Sequence, residues 1–107
     1  MNIITNDTVQ CEKAMAALRE VIDPEIGLNV VDLGLIYQLD FDEPNNNIYA
    51  SMTLTTQFCP MGASIVDGVK QALNTAFPDS EAIVSLTFDP PWRPQRISEQ
   101  GQKFLNQ

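Results

Sequence analysis

The chain has 107 residues, enough for one domain and too few for two separate cores. Its 44% hydrophobic content supports a packed interior and excludes a disordered acidic tail. A net charge of -8 sets it against phosphate backbones and anionic lipid heads, so neither nucleic acid nor membrane is expected as a partner.

The charge is unevenly distributed. Between Arg19 and Lys70 there is no base, whereas the same stretch holds Glu20, Asp23, Glu25, Asp32, Asp40, Asp42, Glu43 and Asp67. Outside it acids and bases balance, so the excess is expected to form one acidic face. Histidine is absent, and with it any Ser-His-Asp or Cys-His catalytic pair, any HExxH zinc site and any two-His facial triad within the chain. The two cysteines, Cys11 and Cys59, are too distant for a CxxC motif and too few for a secreted disulfide scaffold. The opening residues carry neither a basic region nor an apolar run, and no segment reaches the length of a membrane span. The expectation is a soluble, cytoplasmic protein.

In chain order, the first predicted element is a helix from about Thr8 to Ile22. Cys11, Ala14, Met15, Leu18, Val21 and Ile22 recur at helical spacing, and Asp7 with Gln10 resembles a capping box. The Asp23-Pro24 step is expected to stop it. Leu35, Tyr37, Leu39 and Phe41 then alternate with Ile36, Gln38 and Asp40, as in a strand with one apolar face. Turn residues 43–47 lead to a second alternation through Ile48, Ala50, Met52 and Leu54, which completes a β-hairpin. A second helix is predicted from about Pro60 to Ala76, with Met61, Ile65, Val69, Leu73 and Ala76 as its apolar stripe. Val84, Leu86 and Phe88 mark a third strand, and a proline-rich loop from Pro90 to Pro94 precedes a short helix near Ser98 to Leu105. The order α-β-β-α-β-α predicts a small single-domain α+β sandwich, with helices packed on a mixed sheet.

Cys59 is the residue with the most chemical promise. It follows a strand and precedes Pro60, and proline favours the first position of a helix. Cys59 is therefore read as the N-cap, where free N–H groups and the helix dipole favour thiolate over thiol. A cysteine packed as a small hydrophobe fits the same position, and position alone leaves both open. Cys11 shares the apolar stripe of the first helix and is read as core. Asp23, Glu25 and Asp32 form an acidic loop that could orient a ligand or simply close turns. Thr55 and Thr56 could donate to a nearby thiolate or finish a strand. Trp92 is either a lid on the core or, with Arg93 and Arg96, a partner-facing anchor.

Three ordered motifs resemble one known family: DPEIGLNVVDLGLIYQLDFD at 23–42, MTLTTQFCPMG at 52–62 and DPPWRPQRIS at 89–98. The chain is identified as a member of the small iron–sulfur cluster assembly domains of the SufT and PaaD type, over roughly residues 8–105. The absence of a P-loop and of a cysteine-rich C-terminal zinc motif places it nearest the free-standing SufT-like group. The resemblance implies an auxiliary role in maturing iron–sulfur proteins, with Cys59 as reactive thiolate or transient metal or cluster ligand. It places Thr55, Thr56, Asp23 and Glu25, with neighbouring Ile26, around that thiol. Phe58 stands where the family commonly has glycine.

Ligand arithmetic limits the mechanism, because a cluster takes about four protein ligands and one chain offers one good thiolate. No cofactor is expected to be held stably, although iron or a cluster could pass through. The implied partners are apo iron–sulfur proteins and cluster scaffolds or carriers, and a homodimer would pair two Cys59 thiolates. Turnover in the enzymatic sense is not expected. The alternatives are a low-pKa thiol enzyme or redox sensor, and a pure interaction module in which the thiol has no role.

Overall fold

Two helices and a four-stranded sheet share one hydrophobic core, in a computed structural model that describes residues 3–55 and 62–106. The elements are β1 (Ile4–Thr5), α1 (Thr8–Leu18), β2 (Ile36–Asp42), β3 (Asn47–Met52), α2 (Gly62–Ala76), β4 (Glu81–Leu86), a 3-10 turn (Pro94–Arg96) and α3 (Glu99–Leu105). Strands run in the spatial order β1-β2-β3-β4, with β2 and β3 antiparallel and the two outer pairings parallel. The mixed α+β architecture expected from the sequence is therefore present, with one short strand added at the front.

Register explains the alternation. Phe41, Ile48 and Ala82 lie abreast on one face, as do Leu39, Ala50 and Val84, and Ile36, Met52 and Leu86. Against that face pack Cys11, Ala14 and Leu18 of α1 and Ile65, Val69 and Leu73 of α2. The opposite face carries Gln38, Asp40, Tyr49, Ser51, Ile83 and Ser85 and has no helix over it among the described residues. The hairpin turn places Asn46 at φ +55°, a left-handed conformation that asparagine tolerates better than most residues.

Several boundaries differ from the expectation. Helix α1 begins at Thr8 with Asp7 as N-cap, its side chain accepting from the Gln10 N–H. It ends at Leu18 and not at Ile22, because Val21 and Ile22 pair with a later segment: the Val30 N–H donates to the Val21 carbonyl, and Ile22 bridges Asn29. Tertiary pairing thus ends the helix before the Asp-Pro step can. Strand β4 starts at Glu81, three residues earlier than the apolar alternation suggested, since its first residues pair with the hairpin end of β3. The strand Ile4–Thr5 has no sequence signature, because two residues give no period to read; Asn6 ties it down through bonds to both backbone groups of Phe41.

The eight acids between Arg19 and Lys70 are spread over several elements. Glu20 lies beyond the end of α1, Asp40 on the open sheet face, Glu43 in the hairpin turn and Asp67 on exposed α2.

Candidate functional site

Residues 56–61 lie outside the described residues, and with them Cys59, Thr56, Phe58 and the expected cap of α2. What the structure does give is the chain on either side of them. Thr55 is half-buried at the end of the strand exit, after Thr53 and Leu54, which are buried. Thr53 is fixed by its N–H, which donates to the Leu35 carbonyl at 2.8 Å.

From Leu35 a relay of backbone hydrogen bonds leads to the acidic loop. The Leu35 N–H donates to the Val30 carbonyl at 3.1 Å, and the Val30 N–H to the Val21 carbonyl at 3.0 Å. Next to it the Asp23 N–H donates to the Leu28 carbonyl, and the Gly27 N–H returns to the Asp23 carbonyl at 2.7 Å. Asp23 and Thr55 thus belong to segments stitched to the same end of the sheet. Glu25, by contrast, is exposed, and Ile26 is half-buried.

Asp23 is only 1% exposed, which for a carboxylate demands partners. Its Oδ1 accepts from the Glu25 N–H at 2.9 Å, a turn-closing bond made by the side chain itself. The local-turn reading of Asp23 is therefore physically realised, whatever else its carboxylate does. Asp32 also works locally: it is paired with Asn29 through both side chain and backbone, and accepts the Ser98 hydroxyl at 2.9 Å. The Asn29-x-x-Asp32 spacing was the readable signal for that turn, and Ser98 was the partner it did not reveal.

The residues expected to face partners divide. Trp92 is half-buried and its indole N–H donates to the Leu33 carbonyl at 2.7 Å. Arg96 sets its guanidinium 4.1 Å from the centroid of the Tyr37 ring, and its Nε donates to the Gly34 carbonyl at 3.1 Å. Both side chains are occupied in clamping the loop before β2. Arg93 is exposed.

Cys11 is buried at 5% exposure, as its place on the apolar stripe implied. Burial pushes its thiol above the ordinary range, a smaller opposing effect coming from a hydrogen bond with Thr5. A thiol so placed is a poor nucleophile and a poor metal ligand. Cys59 is left as the one cysteine in the sequence for that chemistry.

Residues 12–85 match the family model for the iron–sulfur cluster assembly protein. The chain belongs to this family. It is 40% identical over 94 residues to the Fe-S protein maturation auxiliary factor YitW of Bacillus subtilis, covering 88% of this chain and 91% of that one. To the Fe-S protein maturation auxiliary factor SufT of Staphylococcus aureus it is 38% identical, over 79% of this chain and 96% of that one. Among solved structures, a domain of unknown function from Bacillus anthracis superposes with a TM-score of 0.83 at 42% identity, over 89% of this chain and 90% of that one. The match takes in the acidic loop, the hairpin and the whole of the segment that carries Cys59.

Proposed function

We propose that this protein is an auxiliary factor in the maturation of iron–sulfur proteins, working between the cluster-assembly machinery and apo-clients. The observation that carries the reading is family membership across residues 12–85, together with relatives of nearly the same length that bear that role in their names.

In this reading the cluster is cargo, and Cys59 is its transient ligand or sulfur contact. Cluster binding takes about four protein ligands, mostly thiolates, and the chain's other thiol is buried and held protonated in the core. One chain alone therefore hands a cluster on and does not store it. The remaining ligands come from client or carrier cysteines, from a small thiol, or from Cys59 of a second copy. Thr55 and Thr56 stand as hydrogen-bond donors to the thiolate, Asp23 and Glu25 as the acidic wall beside it, and Arg93 as a partner contact. A cytoplasmic site of action, where apo-clients are made, goes with this role.

The test replaces Cys59 by Ala. The variant is expected to keep its circular dichroism and melting temperature while a strain carrying only that variant loses iron–sulfur enzyme activity. Full client activity in that strain would overturn the proposal. Anaerobic reconstitution with iron and sulfide, read by visible absorption of wild type against Cys59→Ala, reports whether the thiol touches the metal.

A further inference from the structure

Strand β4 is the last in the sheet, and its outer edge has a half-finished character. The Glu81 N–H donates to the Asn46 carbonyl and the Thr87 N–H to the Met52 carbonyl, both inward toward β3. Backbone groups of alternate residues point to opposite sides of a strand, so Ala82, Val84 and Leu86 direct theirs outward. The Ala82 N–H is taken by Asn74 Oδ1 of α2 at 2.9 Å. Among the described residues nothing takes the N–H and C=O groups of Val84 and Leu86. The chain beyond β4 does not cover them either: it turns the other way, to where the Pro90 carbonyl accepts from Tyr37 on β2.

The side chains match this edge. Val84 is half-buried and Leu86 is 46% exposed, both on the face of the sheet that packs against α2. Val66 of α2, half-buried, joins the partly covered apolar rim. The groove between α1 and α2, about 500 Å³, is lined by Ala17, Val21, Gly68 and Ala72 with Glu20, Gln71 and Thr75 among them, and presents side chains and no strand edge. The β4 edge adds main-chain donors and acceptors in strand geometry, which specify an extended backbone.

We propose that the outer edge of β4, at Val84 and Leu86, receives an extended, neutral-to-basic segment of a partner polypeptide as a fifth strand. Charge selects this occupant. Asp79 and Glu81 stand at the start of the strand and the chain carries -8 overall, so a second copy is repelled and a basic segment attracted. Two outward-facing residues also provide far less contact than the roughly 800 Å² per partner of a stable dimer. Taking the partner to be an apo iron–sulfur client rests on the function proposed above. It also suits the topology, because β3 and β4 are parallel and the segment bearing Cys59 leaves from the same end at which β4 finishes.

The probe is a lysine-flanked peptide of alternating valine and threonine, about ten residues long, added to the full chain without iron or sulfide. Amide exchange followed by NMR is expected to slow at Val84 and Leu86 on saturation. Binding is expected to fall at least tenfold in Val84→Pro, which removes an outward N–H that an edge strand can spare, and in Leu86→Lys at an exposed position. Aspartate flanks in place of lysine should weaken it as well. Unchanged exchange at both amides, or equal binding by both variants, would overturn the proposal. So would protection of the two amides that grows with protein concentration alone, the mark of a second copy. Cys59→Ala should bind the peptide normally, which separates this edge from the thiol chemistry. Normal client maturation by both edge variants would overturn the client as occupant.

Discussion

Gly34 and Arg96 occupy the same space from opposite ends of the chain. Gly34 stands at φ +77°, and a Cβ placed on it would run into the Arg96 backbone, while Arg96 Nε donates to the Gly34 carbonyl. Gly34→Ala is expected to cost roughly 2–4 kcal/mol, from a left-handed residue with a side chain and from overpacking. Gly27 supplies the control: its φ is +82°, but nothing lies within 4 Å of its added Cβ. Gly27→Ala should cost only about 1 kcal/mol, so urea midpoints of the two variants separate strain from collision.

Asp23 can be asked whether its charge matters or only its shape. Asp23→Asn retains an oxygen for the Glu25 N–H and should fold nearly as well as wild type. Asp23→Ala removes that turn-closing acceptor, the Glu25 N–H being left to solvent, and should lose about 1 kcal/mol. If the carboxylate serves the thiol chemistry, the Asn variant will fail to support client maturation despite normal stability. Wild-type maturation by Asp23→Asn would reduce the residue to a turn former.

Trp92 and Arg93 make a matched pair for separating packing from docking. Trp92→Phe removes the indole donor to the Leu33 carbonyl and is expected to destabilise by about 1–2 kcal/mol. Arg93→Ala, at an exposed position, should leave the urea midpoint within about 0.5 kcal/mol of wild type. Any loss of partner binding in the Arg93 variant then reports contact and not unfolding.

Cys11 makes a pH prediction whose sign is fixed by burial. Its folded pKa is raised above that of the unfolded chain, so its contribution is whole below about pH 8.5 and is lost as pH climbs through the folded value. Alkaline urea titrations should show stability falling in wild type, with the fall reduced in Cys11→Ala. Iodoacetamide should label Cys11 slowly until the chain opens.

What the sequence made legible follows from where each signal is stored. Cys11, Ala14 and Leu18, or Ile65, Val69 and Leu73, announce their helices because burial repeats with the helical period. The loop from Leu28 to Leu35 announces nothing of the kind, yet Val30, Val31, Leu33 and Leu35 are wholly buried. Its shape is set by Val21 on one side and by Ser98 and Arg96 on the other, and the latter two lie more than sixty residues away, outside any local window. The same holds for the candidate site. Cys59 and Asp23 could be singled out by motif and by the proline beside each. That Asp23 is buried and bonded to the next turn, and that Trp92 and Arg96 grip a loop, depends on contacts that only the folded chain makes.

Three consecutive carbonyls in that loop find their donors in the C-terminal segment: Asp32 from the Ser98 N–H, Leu33 from the Trp92 indole and Gly34 from the Arg96 Nε. A nascent chain leaving the ribosome can form its hairpin and both long helices before these donors exist. Until they emerge, that turn has only its local bonds and those to Val21 and Thr53, and its three carbonyls lack these donors. The loop before β2 is therefore completed by the last residues made, and a chain cut short after β4 would be released with the Asp32, Leu33 and Gly34 carbonyls missing their donors.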